Sequence, residues 1–156
     1  KNKYFAILLV ASVILSTSCN NNVVFTGSES MNRNVWALNQ VPSFDVNVTD
    51  TITSNNVIFT IRTGSSYPFR NIYLFVKTTS PDGKSITDTL QYNLADEKGT
   101  WLGKGFGDIN ELDLTYKSNV YFPVKGIYNF NIQHGMRVED LEGVYDFGIR
   151  VEKIVK

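Results

Sequence analysis

Alternation of apolar and polar residues with a period of two recurs along most of this chain, and it restricts the fold more than any other feature. The clearest stretches are residues 44–49, 57–62, 72–77, 86–94, 128–133 and 145–152. Successive side chains of a β-strand point to opposite faces, so this pattern is typical of antiparallel strands with one face on a core and one in water. No window of a dozen residues shows a helical stripe with a 3.6-residue period. The chain is therefore predicted to be all-β.

Turn residues separate seven or eight such segments, and Ser80-Pro81-Asp82-Gly83 is the strongest turn signal. This spacing predicts a single antiparallel β-sandwich over residues 35–156, either Ig-like or jelly-roll-like. The stretch 72–77 is apolar on both faces, which is typical of a central strand. Trp36 is predicted to fill the core near the start of this domain. Residues 95–126 contain five glycines and are predicted to be rich in loops, with one short strand around Leu112, Leu114 and Tyr116.

The N-terminus has the three parts of a secretory signal peptide. Lys1 and Lys3 give a basic start, an apolar run follows over residues 4–15, and small residues occupy positions 16–18. The apolar run is shorter than the roughly 20 residues that a helix needs to cross a bilayer. Residues 1–18 are therefore predicted to be a signal peptide.

Cys19, the only cysteine of the chain, directly follows these small residues. Its position is typical of a bacterial lipoprotein signal, in which the cysteine is acylated and becomes the first mature residue. The usual motif has leucine three residues before the cysteine, whereas this chain has Ser16 there and Leu15 one position further back. Stable anchoring needs more than one acyl chain, which a triacylated Cys19 would supply. The polar residues 19–34 are predicted to be a tether between lipid and domain.

Composition excludes several function classes. Without Lys1 and Lys3 the chain carries 13 basic and 15 acidic residues, which does not provide the basic surface that nucleic acids require. One histidine and one cysteine are too few for a zinc site. His134, the only histidine, is predicted to be structural or at the surface, because no nucleophile motif accompanies it. No catalytic residue, metal or cofactor is therefore predicted.

The acidic clusters leave two weaker alternatives. Asp96, Glu97 and Asp108 include carboxylates that calcium accepts as ligands, but their spacing matches no EF-hand. A glycan hydrolase would need two carboxylates facing each other across a cleft. The acidic residues of this chain lie in predicted turns and loops, where solvated carboxylates are common, and we interpret them as surface residues.

Loops on a rigid sandwich often carry binding residues. The predicted partner-binding residues are Trp101, Lys104 and Phe106 in the loop-rich region, joined by Met136 and Arg137 after a late strand. Trp101 has two interpretations: it anchors a long loop to the core, or it stacks on a sugar ring. Exposed, coplanar aromatic residues on one sheet face would favour a carbohydrate-binding module, and burial of Trp101 would weigh against one.

Several segments resemble the gliding-motility lipoprotein GldH family of the Bacteroidetes. The most distinctive are Trp-Leu-Gly-Lys-Gly at 101–105 and Met136-Arg137. The similar segments cover nearly the whole mature chain in order: 44–51, 67–76, 81–83, 88–90, 94–96, 99–105, 122–123, 126–128, 133–137 and 141–152. The looser lipoprotein motif of that phylum also accommodates Ser16.

The resemblance implies an outer-membrane lipoprotein without catalytic residues, linked in gliding relatives to the type IX secretion machinery. Its partners would be outer-membrane lipid, through acylated Cys19, and other envelope proteins. Surface-exposed lipoproteins of this phylum tend to carry acidic residues after the cysteine, whereas this chain has three asparagines, Asn20 to Asn22. The periplasmic face of the outer membrane is therefore expected. The alternative function is a carbohydrate-binding module of the cell envelope.

Overall fold

A computed structural model describes residues 22–155 and builds them almost entirely from antiparallel strands. The predicted signal peptide, 1–18, and the predicted lipidation site, Cys19, lie outside the described residues. The strands are β1 Val23–Ser30, β2 Val35–Ala37, β3 Ser43–Val48, β4 Asn55–Gly64, β5 Asn71–Thr79, β6 Ser85–Asn93, β7 Lys104–Phe106, β8 Ile109–Val120, β9 Gly126–His134, β10 Asp140–Glu142 and β11 Val144–Lys153. Within this part of the chain, the helix assignment is limited to a 3-10 turn at Asn32–Asn34, and no helix is long and apolar enough to cross a membrane.

Two sheets face each other. One has the strand order β1-β11-β4-β8-β7 and the other β3-β9-β5-β6, while β2 and β10 form a small separate ribbon. Most of the long strands that follow one another in the chain lie in different sheets, and the hairpin of β5 and β6 is the exception among the long strands. This is the arrangement of a double-sheet jelly roll with two Greek keys. The predicted all-β sandwich is thus confirmed, with jelly-roll rather than Ig-like strand order.

The core consists of the inward-facing residues of both sheets. Phe59 of β4 and Phe147 of β11 lie with ring centroids 5.3 Å apart, and Trp36 packs on Phe147 at 5.1 Å. Trp36 is fully buried, as predicted. Its indole N–H donates to the carbonyl of Gln40 over 2.9 Å, which satisfies the one polar atom that burial would otherwise leave unpaired.

The tether prediction for residues 19–34 is wrong over most of its length. Residues 23–30 form β1, an edge strand whose backbone pairs with β11. Met31 follows it into the core, with its N–H donating to the carbonyl of Tyr145 over 2.8 Å. The side chains of β1 are only half-buried or exposed, and Val24 and Phe25 alone among them pack against the core, so pairing of its backbone with β11 is accompanied by a small apolar contact. Of the predicted tether, only 19–21 lie outside the described residues.

The loop prediction for residues 95–126 is also wrong in part. Strand β8 runs for 12 residues within it and pairs with β4 over nearly its whole length. Leu114 and Tyr116 face the core, while Glu111 and Asp113, residues with low strand propensity, occupy the outer face. The strand that was predicted to be short is therefore a long one, and loops remain at 95–103, 107–108 and 121–125.

The strand directions give the sandwich two ends with different contents. The tether end contains Asn22, the turns 49–54, 80–84 and 121–125, and the C-terminal residues 154–155. The distal end contains the connections 31–42, 65–70, 94–103 and 135–139 and the hairpin of β7 and β8. The tether end and the distal end of the sandwich are defined by these two groups of residues.

Candidate partner-binding site

All five residues predicted to bind a partner lie at the distal end. Trp101 lies in the connection 94–103, Lys104 and Phe106 lie on the short strand β7, and Met136 and Arg137 lie just after β9. They form two groups: the first at the β7 edge of the five-stranded sheet, the second beside the outer face of the four-stranded sheet. Tyr67 packs on Trp101 of the first group and on Phe69, and Phe69 lines the same groove as Met136 and Arg137 of the second.

The loop that carries Trp101 is cross-linked rather than loose. A β-bridge pairs Ala95 with Trp101, and the carboxylate of Asp96 accepts the backbone N–H groups of Lys98 (2.9 Å) and Thr100 (2.8 Å). Arg70 holds the loop from outside, because its guanidinium donates to the carbonyl of Glu97 over 3.0 Å. The loop is thus held in one conformation before any partner binds, which reduces the entropy lost on binding.

Trp101 is half-buried. Its ring meets the ring of Tyr67 at an angle of 60° with centroids 6.0 Å apart, and Tyr67 is itself buried. The Tyr67 hydroxyl donates to the carbonyl of Asn71 over 2.8 Å, and burial raises the pKa of this hydroxyl above its ordinary value. These contacts favour the loop-anchoring interpretation of Trp101 over the sugar-stacking one.

Strand β7 presents exposed side chains at the sheet edge. Phe106 is 88% exposed, and Leu102 shortly before it is also exposed. Lys104 lies opposite Glu111 on β8, and its charge lies close enough to lower the pKa of the Asp113 carboxyl. Gly103 permits the close approach of this strand, since a Cβ there would lie 2.0 Å from the carbonyl oxygen of Glu111. Phe106, Leu102 and Lys104 are therefore accessible to solvent at this edge of the sheet.

Met136 and Arg137 border an open apolar groove of about 630 Å³, lined by Phe69, Tyr73, Gly135, Met136, Arg137 and Val138. Met136 is held over the start of β5, where its sulfur accepts the N–H of Tyr73 at 3.3 Å. Arg137 is exposed at the rim. A residue larger than glycine at position 135 would clash with the Phe75 ring, because a Cβ there would lie 2.9 Å from it.

Sequence reasoning missed two aromatic residues beside this groove. Tyr73 and Phe75 lie on the outer face of β5 and are 39% and 42% exposed. Their cross-strand neighbours are Gln91 and Thr89 on β6, and Gln133 lies opposite Phe75 on β9. The sequence feature that could have identified these two residues is the apolar character of both faces of the stretch 72–77. The strand is central, as predicted, but its second face carries aromatic residues into solvent instead of burying them.

Two arginines of the five-stranded sheet pair with aspartates of the same sheet. Arg62 forms an ion pair with Asp146, and Arg150 donates to Asp113 over 2.9 Å. Burial alone would raise the pKa of Asp113, but the hydrogen bonds from Arg150 and Thr60 outweigh it and lower that pKa. The Asp113 carboxylate is thus a structural partner of Arg150 and Thr60 rather than a general acid.

His134 is fully buried beside Trp36, with ring centroids 5.6 Å apart. Burial lowers the pKa of its imidazole, although the nearby carbonyls of Trp36 and Glu139 favour the charged form. Neither ring nitrogen has a hydrogen-bond partner within the described structure. The histidine is thus structural, one of the two predicted alternatives. No group of three His, Cys, Asp or Glu residues is placed to hold a metal ion anywhere in residues 22–155.

Solved structures resemble this fold only distantly. The subviral particle of infectious bursal disease virus VP2 matches with a TM-score of 0.36 and 14% identity, over 83% of this chain and 30% of that one. Carbohydrate-binding modules from the β-sandwich superfamily match with a TM-score of 0.29 and 16% identity, over 82% of this chain and 54% of that one. At these TM-scores, neither likeness supports a conclusion about fold or function.

Sequence comparison finds much closer relatives. The gliding motility lipoprotein GldH of Flavobacterium johnsoniae is 37% identical over 97% of both chains. A gliding motility lipoprotein GldH homolog of Christiangramia forsetii is 32% identical over 98% of both chains. The family model described as GldH lipoprotein matches residues 23–151, which include the whole sandwich from β1 into β11. The chain therefore belongs to the GldH lipoprotein family, as its sequence segments predicted.

Proposed function

We propose that this chain is a non-catalytic accessory or assembly component of an outer-membrane complex that serves gliding motility or type IX secretion. Acylated Cys19 anchors it to outer-membrane lipid on the periplasmic side. The names of the two relatives support the link to motility. The neutral residues Asn20 to Asn22 support the periplasmic side over the cell surface.

One observation carries the proposal: the exposed partner-binding candidates lie at the end of the sandwich opposite Asn22. Asn22 is three residues from the predicted lipid anchor, and Phe106 and Lys104 lie at the distal end. An anchored sandwich oriented in this way directs Phe106 away from its own membrane and into the periplasm. A partner protein would meet the exposed ring of Phe106 first, with Leu102 and Lys104 next to it.

A non-catalytic role agrees with the contents of the structure. The only histidine is buried, and Arg62, Asp146, Asp113 and Arg150 of the five-stranded sheet are used in two ion pairs. The distal end offers exposed apolar side chains, such as Phe106 and Leu102, together with charged residues of both signs. Binding, rather than bond breaking, is what such a surface can do.

Photo-crosslinking in the native cell tests this proposal. A photoreactive phenylalanine analogue at Phe106 is expected to capture an envelope protein of the motility or secretion machinery. The matched control carries the same analogue at Thr87, an exposed residue on the outer face of β6 far from the distal loops. Equal capture at both positions, or capture at neither, would contradict a specific partner surface around Phe106.

A second function, glycan binding, is favoured by a different observation. Tyr73 and Phe75 expose their rings on one sheet face, and Gln91 and Gln133 place amide groups on either side. Aromatic rings with adjacent amides are suited to sugars, which present an apolar face and peripheral hydroxyl groups. Trp101 does not belong to this surface, because it packs on Tyr67.

Titration of soluble envelope glycans, followed by NMR, distinguishes the two functions. If the face of Tyr73 and Phe75 binds sugar, amide shifts concentrate in β5, β6 and β9, and Phe75→Ala abolishes them. The control variant Phe106→Ala should leave them intact. Shifts that survive Phe75→Ala, or that concentrate around β7, would refute glycan binding at this face.

A further inference from the structure

We propose that the tether end of the sandwich is a membrane-contacting surface that lies against the bilayer holding the lipid anchor. This inference rests on the proposed acylation of Cys19 and goes beyond it. The anchor alone fixes only one point of the protein to the membrane. The contact surface determines how the whole sandwich is oriented.

The short chain between the anchor at Cys19 and the sandwich brings the tether end close to the membrane. The carbonyl of Asn22 accepts the N–H of Lys153 over 2.7 Å, so Asn22 is already fixed to the end of β11. Three residue steps separate Cys19 from Asn22, and a fully extended chain spans at most about 11 Å over that distance. A lipid on Cys19 therefore keeps Asn22 within about 11 Å of the membrane interface. Side chains that project from the same end of the sandwich are then the ones closest to the headgroups.

The tether end also exposes apolar side chains that could enter the membrane interface. Ile52, in the turn between β3 and β4, is 86% exposed, Val155 is 66% exposed and Tyr121 is 59% exposed. They lie around one point, because Asn55 pairs with Lys153 on one side and with Val120 on the other. Ile127, at the start of β9, is a further exposed aliphatic residue of this end. Aliphatic residues with a tyrosine are what the headgroup and acyl boundary accepts.

The turn that presents Ile52 is rigid. The Asp50 carboxylate accepts the backbone N–H groups of Ile52 and Thr53, both at 3.0 Å, and also pairs with Lys153 at 2.8 Å. The N–H of Ile154 donates to the carbonyl of Ser54 over 2.9 Å and joins the C-terminal residues to the same turn. Ile52 is thus held outward by a folded turn instead of a loose loop.

The charged residues of the tether end also suit a membrane surface. The aspartates of this end are neutralised within the protein: Asp50 by Lys153 at 2.8 Å, Asp82 by Lys84 at 2.9 Å and Asp88 by Lys117 at 2.8 Å. Lys125, in the turn 121–125, makes no ion pair among the described residues. Among the described residues, the end therefore presents paired aspartates together with the unpaired cation of Lys125, which suits phospholipid phosphates. An end with unpaired carboxylates would be repelled by them.

Fluorescence quenching on lipid vesicles tests the proposal. Protein made in the native host and purified from its membranes is reconstituted into vesicles of phosphatidylethanolamine and phosphatidylglycerol, with an environment-sensitive dye on Ile52→Cys. Cys19 is the only native cysteine and its thiol is blocked by the lipid, so the dye reports on one site. The matched control is Phe106→Cys, since Ile52 and Phe106 are 86% and 88% exposed. We expect shallow spin-labelled lipids to quench the dye at position 52 and iodide to quench it several-fold less than at position 106.

The outcomes separate this inference from the anchor on which it rests. Protein that fails to float with vesicles would refute acylation and therefore the anchor itself. Protein that floats, but whose dye at position 52 is as accessible to iodide as the dye at 106, would refute the membrane contact alone. A dye at position 52 that is shielded in cell envelopes and accessible on pure lipid vesicles would also refute it, because a protein would then cover this end.

Discussion

Lowering the pH from about 7.5 to about 5.5 is expected to destabilise the sandwich through the imidazole of His134. This ring is fully buried beside Trp36, and burial lowers the pKa of the imidazole in the folded protein below the ordinary value of 6.5. As the pH falls through 6.5, the unfolded chain takes up a proton that the folded protein resists. Stability contributed by neutral His134 is thus fully present above the unfolded pKa and is lost below it.

The size of the effect follows from linkage. One proton taken up only by the unfolded state lowers the free energy of unfolding by at most about 1.4 kcal/mol per pH unit. The carboxyl groups with lowered pKa, such as Asp113 and Asp82, contribute their own loss only below about pH 4. His134 is the only histidine of the chain, so the window between about pH 5 and 6.5 reports on this side chain.

Urea unfolding at a series of pH values, followed by tryptophan fluorescence, measures this slope. The variant His134→Leu keeps the volume approximately and removes the titrating group. We expect the slope between about pH 6.5 and 5.5 to disappear in this variant. At neutral pH the variant should keep most of the stability of the natural protein, because neither imidazole nitrogen makes a hydrogen bond of good geometry in the described structure. An unchanged slope in His134→Leu would refute the reasoning.

Two further predictions concern the core and the backbone. Trp36→Ala should lower the free energy of unfolding by about 3–5 kcal/mol, since the indole is fully buried; half-buried Trp101→Ala should cost clearly less in the same urea titration, and equal losses would contradict the assigned core. Gly143→Ala should greatly lower the melting temperature, because Gly143 has φ of 77° and a Cβ would lie 2.3 Å from the Tyr67 nitrogen. Gly99→Ala, with φ of 83° and no atom within 4 Å, should cost only about 1 kcal/mol, and a similar loss for both would contradict the contact.

Side-chain periodicity predicted the strands that bury one face. Strands β3, β4, β9 and β11 have alternating apolar residues, and all were placed correctly from sequence. Strand β1 was missed because an edge strand can be held by backbone pairing, which leaves no trace in the side-chain pattern. A Cβ at Gly148 would lie 2.9 Å from the carbonyl oxygen of Gly27, so the β1 and β11 backbones lie close at this point.

The candidate site stays a prediction, and only part of its arrangement could be foreseen from the sequence. Trp101, Lys104, Phe106, Met136 and Arg137 were identified from sequence, and the structure places all of them at the distal end. Their division into two groups depends on which strands become neighbours, and strand order is a long-range property that periodicity does not contain. The exposure of Tyr73 and Phe75 was missed for the same reason, because an apolar face is buried only if another element covers it.

The central claim is that lipid-anchored protein presents its distal end to the motility or secretion machinery. The most direct test is quantitative proteomics of the culture supernatant and cell surface after deletion of the gene. Complementing alleles would encode the natural protein, Cys19→Ala, the double variant Lys104→Glu with Phe106→Ser, and the control Lys77→Glu on the outer face of β5. We expect type IX cargo to be lost on deletion and restored only by the natural protein and the Lys77→Glu control. An exported set that is unchanged by deletion, or fully restored by Cys19→Ala, would contradict the account.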